Sequence, residues 1–111
     1  MKRVVEYLAQ HNIVFKSLRA ILPKELGSRK KVSLYVGVDL KSYYALVLYV
    51  EKKSRVLQKE ATELMALHTK VEAFIDAKVT KKYIIIKAPL CSHAKQLLQE
   101  QGWKVWQEYE A

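Results

Sequence analysis

Val32-Ser33-Leu34-Tyr35-Val36-Gly37-Val38 and Tyr43-Tyr44-Ala45-Leu46-Val47-Leu48-Tyr49-Val50 are two runs rich in Val, Leu and Tyr, joined by Asp39-Leu40-Lys41-Ser42. β-Branched and aromatic residues in runs of this length read as strands. A four-residue link makes the pair an antiparallel hairpin. With Val38 opposite Tyr43, paired numbers sum to about 81, which sets Glu51 opposite Lys30. Gly37 is expected at a bulge or bend near the end of its strand.

Downstream of the hairpin the period changes. Between Arg55 and Lys78, residues Leu57, Ala61, Leu64, His68, Val71 and Ile75 recur at steps of three and four, the stripe of a helix. Tyr83-Ile84-Ile85-Ile86 is a short continuous apolar run, as expected of a strand covered on both faces. Ser92 is placed to cap a helix over His93–Gln101, which Gly102 ends, and Trp103–Gln107 reads as a last strand. Upstream, Val4, Leu8, His11, Phe15, Leu18 and Leu22 form one helical stripe that Pro23 and Gly27 stop. The alternative is a break at His11-Asn12, with Ile13–Leu18 as a strand. The expected fold is therefore an α/β domain of order α-β-β-α-β-α-β. It has a four-stranded mixed sheet with helices packed on it, strand 32–38 at one edge and strands 43–50, 83–87 and 103–107 parallel.

The 111 residues suit a single domain over 1–111, and 50% hydrophobic with 28% charged residues is a globular composition. No apolar run is long enough to span a membrane. One cysteine, Cys91, allows no intrachain disulfide and no Cys-rich zinc motif, so a reducing, cytoplasmic setting is expected. Twenty basic against 11 acidic residues give a net charge of +9, which suits a polyanion such as DNA or RNA.

The topology gives that charge a place. Ligands of open α/β sheets sit beyond the carboxyl ends of the parallel strands. There the hairpin register brings Arg29, Lys30 and Lys31 to the same end as Lys52, Lys53, Arg55 and Lys87. The start of the helix at Ser92 points its N–H groups to that end, a ready phosphate site. The residues read as a nucleic-acid-binding rim that neutralises backbone phosphates, with no cofactor required.

Tyr49-Val50-Glu51-Lys52-Lys53 adds a second reading. A hydrophobic strand ending in Glu-x-Lys, followed by a long helix and a parallel strand, resembles the core of the PD-(D/E)xK nuclease superfamily over roughly residues 31–90. The resemblance implies a Mg-dependent nuclease in which Glu51 is a metal ligand and Lys53 positions or activates water. The family's second ligand is an upstream Asp. Asp39 is the Asp that precedes Glu51, and it falls in the hairpin loop about 25 Å away, one strand length at about 3.3 Å per residue. Binding is therefore expected ahead of catalysis.

A third reading is a protein-interaction module that forms a homodimer through edge strand 32–38. His68, at the centre of its helical stripe, reads as a satisfied core histidine, as does His11 on a continuous first helix. Cys91 and His93 flank a helix start, where a thiol pKa is lowered, and fit a phosphate-site lining better than a nucleophile. Tyr43, Tyr44, Tyr49, Trp103 and Trp106 are foremost core residues, with base stacking as the alternative. No Gly-rich phosphate loop, Walker lysine or His-Glu-x-x-His motif occurs.

Overall fold

The computed structural model describes residues 2–27 and 32–107. Within them the chain forms α1 (Lys2–Gln10), β1 (Phe15–Ile21), a 3-10 turn (Pro23–Leu26), β2 (Ser33–Asp39), β3 (Tyr44–Glu51), α2 (Gln58–Ile75), β4 (Val79–Lys87), α3 (Ser92–Glu100) and β5 (Trp103–Gln107). The sheet has five strands in the order β1-β2-β3-β4-β5. The first two pairings are antiparallel, and β3–β4 and β4–β5 are parallel. The mixed α/β class, the hairpin and the three parallel strands are as the sequence leads one to expect; the count of four strands is not.

The fifth strand comes from the first helical stripe, which is broken. Asn12 takes a left-handed conformation, φ 61°. Its N–H donates to Ala9 O, and that of Ile13 donates to Leu8 O. These two bonds are a Schellman stop, with Ile13 and Leu8 sharing one apolar cluster on its inner side. The chain then turns back as β1 and pairs along β2 from Phe15↔Asp39 to Ile21↔Leu34. Strand 32–38 is thus internal, paired on both sides, and the homodimer expected through it has no edge to use. Among the described residues the open edges belong to β1 and β5.

Helices cover both faces. On one, Leu34, Leu46, Leu48, Val50, Ile84 and Ile86 pack under Ala61, Leu64, Leu67 and Val71 of α2 and Ala94 and Leu98 of α3. On the other, Tyr35, Val47, Tyr49 and Ile85 lie under Val4 and Leu8 of α1. Residues 45–48 of β3 are fully inaccessible to solvent. Each such Leu or Val contributes about 1.5–3 kcal/mol relative to exposure, which makes β3 the spine of the fold.

Two smaller expectations are corrected. The hairpin pairs Val38 with Tyr44 and Ser33 with Tyr49, one residue off the predicted register, because Tyr43 belongs to the turn. Gly37 lies in regular pairing with Leu18, and the bulge is in β1 between Phe15 and Ser17. What Gly37 supplies is room: a Cβ there would stand 3.0 Å from the Phe15 ring and 3.1 Å from Leu18 Cδ1. Overpacking of this kind costs about 1–3 kcal/mol. Gly37→Ala should lower stability by that amount, read as a reduced urea midpoint with an unchanged slope.

Candidate nucleic-acid interface

The carboxyl ends of β3 and β4 finish level, with Glu51 beside Lys87 in the parallel register. The loops that leave them are joined to each other. The Lys52 N–H donates to Lys87 O, that of Val56 to Pro89 O at 2.8 Å, and that of Cys91 to Val56 O at 3.0 Å. Val56 and Leu90 thereby form an isolated parallel bridge, and Val56 is completely buried. The physical reason is local. An apolar residue between Arg55 and Leu57 folds inward, and its two neighbours are left outside, both exposed. Arg55 is thus fixed near the start of α3.

At that start the structure departs from expectation. α3 begins at Ser92, and the residue in the capping position is Cys91, in extended conformation. The backbone N–H groups of Ala94 and then His93 hold the Cys91 thiol below its ordinary pKa, with a smaller contribution from the Arg55 charge. Ser92 is thus the first helical residue and not the cap. Cys91 is half-buried and His93 exposed.

Two rim cations are engaged. Lys87 Nζ lies 3.3 Å from Glu51 Oε2, and Lys52 Nζ lies 2.5 Å from Glu60 Oε1 in the first turn of α2. Lys53 and Arg55 are exposed and carry no ion pair among the described residues. Lys52, Arg55 and Lys59 share an open groove with Glu60 and Glu63. The rim is therefore mixed rather than uniformly basic, and Glu60 and Glu63 are carboxylates that the sequence reading did not place there. Gln107, also unforeseen, reaches this end from β5 and donates to Ala88 O at 3.2 Å. Arg29, Lys30 and Lys31 lie outside the described residues.

The residues test poorly as a divalent-metal centre. Glu51 faces a lysine, and among the described residues no three of His, Cys, Asp and Glu come together as metal ligands. Asp39 stands at the opposite end, level with Tyr43 and so eight residue positions from Glu51, or about 26 Å at about 3.3 Å per residue. It is a fixture of the hairpin turn: Oδ1 accepts the N–H groups of Lys41 and Tyr43, each at 2.9 Å. Lys81 Nζ sits 2.7 Å from Oδ2. The remaining candidates are structural as well. His68 Nε2 bonds Val79 O at 2.8 Å and lies edge-on to Trp103. His11 is exposed beyond the end of α1 and stacks on Trp106 with ring centroids 4.6 Å apart.

No family model matches the sequence, and no curated protein does. Solved structures do match. EndoMS in its apo form superposes with a TM-score of 0.57 at 13% identity, over 99% of this chain and 46% of its own. A repair endonuclease from Pyrococcus abyssi gives 0.56 at 12% identity, over 98% and 46%. EndoMS in complex with dsDNA gives 0.54 at 12%, over 99% and 44%. The likeness is one of fold. The chain spans less than half the length of each of these neighbours. No described helix is long and apolar enough to cross a membrane.

The Lys81 contact, with help from the Tyr43 and Lys41 N–H groups, holds the Asp39 carboxyl below its ordinary pKa of 3.8. A depressed carboxylate stabilises the fold fully above the ordinary value, and that contribution is lost as pH falls through the lower folded-state value. Asp39→Asn should therefore lower the melting temperature at neutral pH. The gap from the wild type should narrow as pH is taken below 3.8, as thermal melts across pH would show.

Proposed function

We propose that the chain is a DNA-binding domain built on a nuclease-like fold, which engages backbone phosphates through the loops beyond the carboxyl ends of β3 and β4. The observation that carries this reading is the ladder through Val56, which fixes Arg55 beside the β4–α3 loop while Lys53 and Arg55 keep charges that no described acid neutralises. Lys52 and Lys87 are held by single carboxylates, a contact that a phosphate can replace with little rearrangement. Arg29, Lys30 and Lys31 and the exposed Ser92 complete the proposed contact set. DNA is favoured over RNA by the neighbour solved with dsDNA.

The second reading is a Mg-dependent nuclease, and the structural neighbours favour it over pure binding, since one is a repair endonuclease. Glu51 and Lys53 would then be the ligand and the water-side lysine. Against it stand the Lys87 contact on Glu51 and the distance to Asp39.

One titration series separates the two. Duplex DNA should bind with an affinity that falls steeply with salt, and Lys53→Gln with Arg55→Gln should reduce the log–log salt slope by about 1.8, about 0.9 per phosphate contact. Binding that is absent at low salt, or indifferent to both substitutions, refutes the interface. Incubated with plasmid and Mg²⁺ or Mn²⁺, the protein should leave the DNA intact. Cleavage that disappears in Glu51→Gln and Lys53→Ala would establish the nuclease instead.

A further inference from the structure

We infer that the opposite end of the sheet carries a second phosphate-binding surface, a narrow cationic track suited to a single nucleic-acid strand. The inference rests on the nucleic-acid reading but not on the rim. Two clefts, of about 270 and 180 Å³, open at the amino ends of β4 and β5. Lys81 and Tyr83 line both. Lys41 stands on the first and Lys82 and Lys104 on the second. Lys41, Lys81 and Lys104 therefore border the two clefts from the hairpin turn, β4 and β5, while Lys82 leaves β4 on the opposite face, over Trp103, and reaches only the second cleft.

Asp39 is the one acid lining either cleft among the described residues, and it does not oppose the lysines. Its charge is spent on Lys81 at 2.7 Å and on two backbone N–H groups. Lys82 Nζ donates to Gln101 O and lies over the Trp103 ring, contacts that position it without cancelling its charge. Lys41 and Lys104 are exposed, with no ion pair among the described residues. Among the residues that line the two clefts, Lys41 and Lys104 keep uncompensated charges, with the Lys81–Asp39 pair neutral between them, and Lys82 adds a third charge from the other face of β4.

The shape and the aromatic content select the ligand. Each cleft is smaller than an ordinary small-molecule site, and the two together form a track rather than a pocket. Tyr43, two residues after Lys41 in the hairpin turn, is 53% exposed, and its backbone N–H is held by Asp39 Oδ1. A cationic groove with an exposed ring beside it is the arrangement that holds unpaired strands, phosphates on the lysines and a base on the ring. Trp106 is not that ring, because Tyr83 and His11 both stack against it.

The test is fluorescence anisotropy on the whole chain with a labelled single-stranded oligonucleotide and a labelled hairpin duplex. Lys41→Gln with Lys104→Gln should weaken single-strand binding about tenfold and lower the salt slope by about 1.4, about 0.7 per contact on a single strand. Duplex affinity should change by less than about twofold, and Lys41→Arg with Lys104→Arg should restore the wild-type slope, which a folding defect would not allow. Tyr43→Ala should weaken single-strand binding about tenfold with the salt slope unchanged. Equal losses on duplex and single strand, or none on the single strand, overturn the inference. So does displacement of the oligonucleotide by a mononucleotide or inorganic phosphate at matched phosphate concentration, which would mark a small-ligand site. The rim variant Lys53→Gln with Arg55→Gln serves as the cross-check: if it spares the duplex while the track variant loses the strand, the rim reading fails and the track stands.

Discussion

The parallel pairing of β3 with β4 is the constraint on which the rest of the molecule depends. Residues 45–50 of β3 and 83–86 of β4 are apolar on both faces, so each strand must be roofed twice, and three helices among the described residues do it. α2 and α3 close one side and α1 the other. Because the two strands run together from Tyr44↔Val79 to Glu51↔Lys87, their ends are level at top and bottom. The charged loops among the described residues that flank these strands are therefore delivered to one end or the other. The ladder through Val56 depends on the same register, since it extends the pairing of the two strands into the loops that follow them.

Electrostatics follows from that division. At the carboxyl ends, lysines alternate with Glu51 and Glu60 in pairs that are partly open to solvent, and such pairs are worth little to stability. Their partners are exchangeable, which suits a surface meeting phosphate. At the amino ends a carboxylate is shut away under the hairpin turn, and its lysine partner is held with it. That arrangement organises a loop and leaves the surrounding lysines uncompensated.

Much of the sheet was legible because periodicity reports burial directly. Val32–Val38, Tyr43–Val50 and Ile84–Ile86 announce strands through their apolar runs, and the stripe from Ala61 to Ile75 announces the long helix. The first helix misleads for a physical reason. A spacing of three and four continues from Leu8 to Leu22, yet Asn12, which tolerates the left-handed conformation, ends the helix after Gln10. Phe15 and Leu18 then pack from a strand instead of from a third and fourth helical turn. Asn12 was the available signal. The one-residue error in the hairpin has a similar origin, since Tyr43 has strand character and is used in the turn.

For the candidate interface the division is sharper. The alternation of strands and helices was enough to determine the mixed α/β class and to set Lys52, Lys53, Arg55 and Lys87 at the carboxyl ends of the parallel strands. Sequence also sufficed to separate Asp39 from Glu51, because the two lie at opposite ends of one strand and a strand cannot be shortened. Which partners the charges take was decided by tertiary structure alone: Glu51 with Lys87, Lys52 with Glu60, Asp39 with Lys81. So was the approach of Lys41, Lys81 and Lys104 about two neighbouring clefts, since these come from segments far apart in the chain. Ion pairs have no period along a sequence, and they form where packing of the apolar residues happens to bring opposite charges within reach.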